Sequence, residues 1–201
     1  IHSTTLKVIG DDFIAASAED RQAMLEGVDG MMTNLHGICL CVSTADCVPV
    51  LIYDTKHKVA CAVHAGWRGT VKRIAEKALQ QMNEQYGTEG TDCKAVIGPS
   101  ISLASFEVGD EVYEQFRSEG FDMAQIARKF RKPMPCPCCG KSESWHIDLW
   151  KCNELQLLSG KVNVDNIHVA GICTYLNADQ FFSARHLGVQ SGRLLTGIVI
   201  H

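Results

Sequence analysis

Residues 44–70 run Thr44-Ala45-Asp46-Cys47-Val48-Pro49-Val50-Leu51-Ile52-Tyr53, then Asp54-Thr55-Lys56-His57, then Lys58-Val59-Ala60-Cys61-Ala62-Val63-His64-Ala65-Gly66-Trp67-Arg68-Gly69-Thr70. Two β-rich runs, 48–53 and 58–63, flank a polar turn, the pattern of a β-hairpin. With the turn centred on Thr55-Lys56, Tyr53 faces Lys58, Leu51 faces Ala60 and Cys47 faces His64. Directly opposed residues of an antiparallel pair hold their Cβ atoms about 4.5–5.5 Å apart. That separation suits two ligands of one metal, or a thiolate–imidazole pair. A slip of one residue would send the two side chains to opposite faces.

Beyond His64 the chain turns through Gly66-Trp67-Arg68-Gly69-Thr70 into residues 71–86, where Ile74, Ala78, Met82 and Tyr86 recur every fourth position before Gly87. This is an amphipathic helix with a stop signal. A glycine corner feeding a helix start presents free amides and a positive dipole end. Arg68 adds a planar fork of donors suited to phosphate. A metal or nucleophile position and an anion position therefore lie side by side.

Working outward, residues 3–9 form a short β-like run after His2, and residues 18–25 a short helix ahead of Gly27-Val28-Asp29-Gly30. Residues 38–42 are nearly all apolar and read as a strand buried on both faces. Residues 93–97 read as another buried strand, 108–116 as a helix, and 121–130 as helix or loop. Residues 131–144 carry three prolines and three cysteines and read as a loop. Residues 145–158 have a helical period with Asp148 near the start; 167–172 and 194–200 are strands, with a polar turn at 190–193. Helices mixed with strands imply an α/β class fold, and the hairpin excludes an all-parallel sheet. A length of 201 residues fits one domain with a real core.

The net charge of −4, with Lys and Arg scattered, gives no footprint for nucleic acid. No run approaches the roughly 18–20 apolar residues that span a bilayer, and the start carries no signal-peptide pattern. The expectation is a cytoplasmic protein acting on small molecules; monomer and dimer stay open. The chain opens Ile1-His2 rather than with Met, and is read as lacking its true N-terminus. Among ten cysteines, Cys39, Cys41, Cys61 and Cys173 lie in apolar runs and read as reduced core thiols. Cys136-Pro137-Cys138-Cys139 resembles half of a zinc knuckle, which Cys152 or His146 would complete. Trp145 and Trp150 read as core or interface residues, and His36, His57, His168 and His201 as surface or turn residues.

The segments Thr44–Val50 and His64–Gly69 closely resemble the central motifs of the YfiH-like family, also called the laccase-domain or purine nucleoside phosphorylase family. Further matches are Ile97-Gly98-Pro99-Ser100-Ile101, Phe106-Glu107-Val108-Gly109, Asp148-Leu149-Trp150, Cys173-Thr174 and Phe181-Phe182-Ser183, so the resemblance runs from about His2 to the C-terminus. It implies a mixed β-sheet core with helices packed outside. It also implies a zinc ion, with copper as the alternative, held by His2, Cys47 and His64 with a fourth position open, the mark of a catalytic site. Asp46 would orient or deprotonate a water there. Arg68 and Gly69 would hold phosphate, with Ser183 and Arg185 as further substrate contacts. Two consecutive arginines usually follow Phe-Phe-Ser in the family; here the second is His186, so an anion-binding role carries over only to Arg185, with Arg193 as the other basic candidate. Ser105-Phe106 stand where many members have Cys-Tyr, so no thiol or phenol acts there.

Four functions compete. The first is zinc-dependent phosphorolysis of adenosine, inosine or methylthioadenosine to free base and pentose 1-phosphate, with adenosine deamination as a second activity. The second is copper-dependent oxidation of phenols, against which the chain offers no His-x-His pair for several coppers. The third is a hydrolase of cell-wall precursors with Cys47 as nucleophile and His64 as base. The fourth is a closed zinc site that only holds the fold.

Overall fold

The structure, a computed structural model, describes residues 4–131, 134, 140 and 142–201. The chain order is β1 (Thr5–Val8), α1 (Asp11–Ala15), α2 (Ala18–Met24), β2 (Val28–Thr33), β3 (Cys39–Thr44), β4 (Val48–Asp54), β5 (Val59–Ala65), α3 (Trp67–Val71), α4 (Ile74–Tyr86) and β6 (Cys93–Ile97). There follow β7 (Glu107–Val108), α5 (Asp110–Ser118), α6 (Met123–Ile126), β8 (Ala127–Arg131), β9 (Glu143–Ile147), α7 (Leu149–Ser159), β10 (Ile167–Val169), α8 (Ala184–Leu187) and β11 (Leu194–Val199).

Six strands form one mixed sheet in the order β1-β2-β5-β4-β6-β10, parallel at its two ends and antiparallel through the middle. β3 and β11 make a separate antiparallel ribbon, and β7-β9-β8 a small antiparallel sheet. One face of the large sheet buries Val50, Ile52, Cys61 and Val63 with Ile74, Ala78 and Met82 of α4 and Leu149, Cys152 and Leu157 of α7. The other face sets Ala60, Ala62 and Leu51 against Leu40, Val42 and Ile200 of the ribbon side. The period-two alternation of β4 and β5 thus feeds two cores, and His64 belongs to the ribbon-side set.

The hairpin forms, in a different register from the expected one. Observed pairs are Asp54 with Val59, Tyr53 with Ala60, Leu51 with Ala62 and Pro49 with His64. The reason is the loop. The carboxylate of Asp54, fully buried, accepts the Lys56 and His57 amides at 2.8 and 3.0 Å and meets His57 Nδ1 at 2.8 Å. Lys58 then takes a left-handed conformation at φ 57°. Side-chain capping makes a four-residue loop in place of a two-residue turn. The shift is two residues, so every side chain keeps its face, but Cys47 lies diagonal to His64 and not opposite it.

The helix expected over 71–86 is broken. α3 ends at Val71, Arg73 adopts φ 60°, and α4 starts at Ile74. The buried Gln156 of α7 bridges the break, accepting the Ala75 amide at 3.1 Å and donating to the Thr70 carbonyl at 3.0 Å, while Asn153 donates to Thr70 Oγ1 at 3.2 Å. These bonds satisfy backbone groups that a helix end leaves open and clamp the Gly66–Thr70 corner onto α7. Gly87 does stop α4, in the left-handed region at φ 71°.

Other expectations change as well. Cys39–Thr44 is buried on one face only, because the ribbon's outer side meets solvent, and Cys39 and Cys41 are exposed. β6 likewise alternates, with Lys94 and Val96 exposed. Residues 127–131 form β8, and the first part of the expected 145–158 helix is β9; Asp148 lies at the start of α7 as expected, and caps it by accepting the Lys151 amide. Cys152 is sealed in α7, and the His146 ring bonds the Leu103 carbonyl at 3.0 Å. Cys136, Cys138 and Cys139 lie outside the described residues. Among the described residues no helix is long and apolar enough to cross a membrane.

Cys61 and Cys93 are sealed beneath the helices, and burial pushes both thiols up to about 12. Each then stays protonated in the folded chain at a pH where the unfolded chain has lost the proton. The stability this gives is complete below the ordinary thiol range and is lost as pH rises toward the folded value. Denaturant titrations should show stability falling above about pH 9 by about 1.4 kcal/mol per pH unit for each such thiol. Cys61→Ala should flatten that slope by one proton; an unchanged slope would show that Cys61 is not the source.

Candidate active site

β5 carries His64 out at the end of the central ladder. Continuing the β2–β5 register one pair past Gly30 and Val63 sets Asp29 opposite His64, and the Asp29 carboxylate meets His64 Nδ1 at 3.1 Å. A carboxylate at Nδ1 favours the tautomer that keeps the proton on that nitrogen and leaves Nε2 as the acceptor. This is the carboxylate–histidine arrangement that orients metal-bound imidazoles. Asp29, Cys41, Ser43 and His64 line a hollow of about 220 Å³ between β2 and β3.

Cys47 immediately precedes β4. Burial, with the Asp46 and Asp29 carboxylates adding, pushes its thiol up to about 11, against a smaller opposing pull from Arg193. The Asp29 charge therefore acts on both the Cys47 thiol and the His64 ring. A thiol kept neutral at pH 7 is a poor nucleophile by itself, whereas a soft or borderline cation would take it as thiolate. The donor set of one sulfur and one carboxylate-braced imidazole fits zinc or copper. His2, expected as the third ligand, lies outside the described residues.

Asp46 anchors the loop that carries Cys47. Its φ of 80° is unusual for a non-glycine residue. Its carboxylate accepts Thr174 Oγ1 at 2.7 Å and the Arg185 amide at 2.7 Å, and its carbonyl accepts the Ile101 amide at 3.0 Å. Both carboxylate oxygens are engaged, so Asp46 ties three distant segments to the residue before Cys47. Ser100 continues the knot. It pairs with Cys173 as an isolated parallel bridge, accepts Trp150 Nε1 at 2.7 Å and donates to the Gly98 carbonyl at 3.0 Å. The motifs at 44–50, 97–101, 148–150 and 173–174 thus form one hydrogen-bonded cluster.

The basic candidates sit differently from one another. Arg68 is exposed on the first turn of α3, its guanidinium 4.3 Å from the Trp67 ring centre, and no carboxylate pairs with it among the described residues. Gly69 is buried in the same turn, ahead of the first helical bond from the Thr70 amide to the Gly66 carbonyl. The Arg185 guanidinium donates to the Glu107 carbonyl at 3.0 Å and lies over Phe106. Ser183 is fully buried and caps α8 by accepting the His186 amide at 3.1 Å. Arg193 folds back on its own turn, donating to the Gly192 carbonyl at 3.0 Å. Asp29 is not evident as a partner of His64 from the sequence; a lone carboxylate in the near-apolar run 28–33 is the available signal.

Comparison with known proteins adds three findings. A family described as multi-copper polyphenol oxidoreductase laccase matches residues 1–201. A purine nucleoside phosphorylase of Bacteroides thetaiotaomicron is 52% identical over 200 residues, covering 100% of this chain and 71% of its own length, and the adenosine deaminase RL5 of an unknown prokaryotic organism is 41% identical over 197 residues, covering 98% and 71%. Among solved structures, the hypothetical protein YfiH of Bacillus licheniformis superposes with a TM-score of 0.84 over 100% of this chain and 72% of that one, at 24% identity, a likeness of fold.

Asp46→Ala removes two hydrogen bonds to an ionised acceptor, and should lower stability by about 3 kcal/mol in denaturant titrations. Hydrogen exchange at the Arg185 amide should accelerate in the same variant, and Asp46→Asn should lose about half as much stability. A variant as stable as the parent, with Arg185 still protected, would show that the knot does not depend on this carboxylate.

Proposed function

The chain belongs to the multi-copper polyphenol oxidoreductase laccase family, and from that premise we propose that it is a zinc-dependent purine nucleoside phosphorylase with adenosine deaminase activity. The observation that carries the reading is the His64 ring braced by Asp29 at 3.1 Å, with Cys47 leading into the paired strand diagonally across from it. The names of the two relatives support the pairing of activities. Cys47 and His64, with His2, would hold the metal, and Asp29 would fix the ring that ligates it. Zinc held there would supply Lewis acidity toward a water or toward the departing base.

The chain's own groups would do the rest. Arg68, stacked on Trp67 and open to solvent, would bind phosphate and offset its charge. The Gly69 amide, in the first turn of α3, would donate to the same anion. In phosphorolysis a phosphate oxygen bonds to C1′ of the pentose as the bond from C1′ to the purine nitrogen breaks, and the purine leaves with a proton. In deamination water replaces the exocyclic amine, which departs as ammonia. Asp46 would act as a positioning residue, holding the α8 start with Ser183 and Arg185 next to Cys47. Copper-dependent oxidation of phenols is a second reading, favoured by the family's own description.

The test is base release from inosine with and without phosphate, before and after chelation and zinc return. Phosphate-dependent release that chelation abolishes and zinc restores is expected. Cys47→Ala should lose both the metal and the activity, and Asp29→Asn should weaken metal binding about 10–100-fold in chelator competition with the fold retained. Release that is indifferent to phosphate and chelation, or full activity in Cys47→Ala, would overturn the reading. Dioxygen uptake with phenols in place of nucleoside cleavage would favour the copper reading.

A further inference from the structure

Cys39 and Cys41 have no part in the reaction proposed above. They alternate with the buried Leu40 and Val42 and point from the outer face of the ribbon into solvent. Their sulfurs are 3.5 Å apart. Positions i and i+2 of a strand share a face, so the pair is held by an element whose register is fixed along six residue pairs with β11. The residue opposite Cys41 is Gly197. A Cβ at that position would lie 2.7 Å from Cys41 Sγ and 3.1 Å from Cys39 Sγ. The glycine therefore leaves open the space in which the two sulfurs converge, and any larger residue would press into it.

We propose that Cys39 and Cys41 form a surface dithiolate site for a soft monovalent cation, Cu(I). Thiolate sulfur selects soft metals. A structural zinc needs four ligands, whereas among the described residues no group of three or more His, Cys, Asp or Glu is placed to hold a metal. Two thiolates alone suit Cu(I), which accepts two-coordination. On binding, two sulfur–hydrogen bonds give way to two sulfur–copper bonds, two protons leave, and no electron is transferred. Burial and the adjoining Cys39 push the Cys41 thiol up, and a cation bound there would displace its proton. The site adjoins the hollow lined by Asp29 and His64, which Cys41 borders and Cys39 does not.

The test loads the whole chain with Cu(I) under anaerobic conditions against excess competing chelator, and counts copper per chain. Parent, Cys39→Ser, Cys41→Ser and the double variant are compared, all keeping Cys47 and His64. The parent should hold one equivalent more than the double variant, and each single variant should lose that same equivalent. Gly197→Ala should weaken the site at least tenfold with both thiols present. X-ray absorption of the extra copper should read two sulfurs, and nucleoside cleavage should be unchanged in Cys39→Ser. Equal copper in parent and double variant, or an equivalent that survives loss of one thiol, would overturn the proposal. The count is a difference between chains with the same Cys47–His64 pair, so it stands or fails apart from the proposed reaction.

Discussion

The buried carboxylate of Asp54 governs the geometry of the whole centre. By accepting the Lys56 and His57 amides it folds the β4–β5 connection into a four-residue loop, and that loop length fixes the register of the central hairpin. A register with odd displacement would have moved His64 to the helix side and Cys61 and Val63 to the ribbon side. The observed one keeps the apolar set under α4 and α7 and leaves His64 on the ribbon face, in line with Asp29 of β2. A short polar loop at one end of the ladder thereby determines what chemistry stands at the other.

The second constraint is the cluster around Asp46. A left-handed backbone at a non-glycine residue is strained by about 1–3 kcal/mol and persists only where its surroundings over-determine it. Here two hydrogen bonds from Thr174 and Arg185 offset that strain. The result is a loop that delivers Cys47 to the start of β4 with little freedom. Gln156 and Asn153 act in parallel on the other side, pinning the corner that carries Arg68. The residue before the sulfur, the imidazole itself and the corner that bears the guanidinium are each held by a polar contact from a distant part of the chain.

How much of this the sequence discloses depends on range. The hairpin strands are legible because their alternation is local, and the ends of α4 and α7 are legible because Gly87 and Asp148 are local signals. The register is not, because side-chain capping by Asp54 decides the loop length and no spacing rule registers it. The anchoring role of Asp46 is illegible because its partners lie 128 and 139 residues away. Asp29 was lost for the same reason at a separation of 35 residues. The exposure of Cys39 and Cys41 is not legible, because an apolar run says how much surface can be buried, and the ribbon covers only one side of it. β8 and β9 are not legible because they pair across the proline-rich segment that separates them in sequence.

The central claim is that Cys47 and His64 bind one metal ion together. X-ray absorption at the zinc edge of the zinc-loaded chain measures this most directly. The account predicts one sulfur at about 2.3 Å with the remaining ligands nitrogen or oxygen, and loss of that sulfur in Cys47→Ser. A shell without sulfur, or a sulfur that persists when Cys47 is replaced, would contradict it.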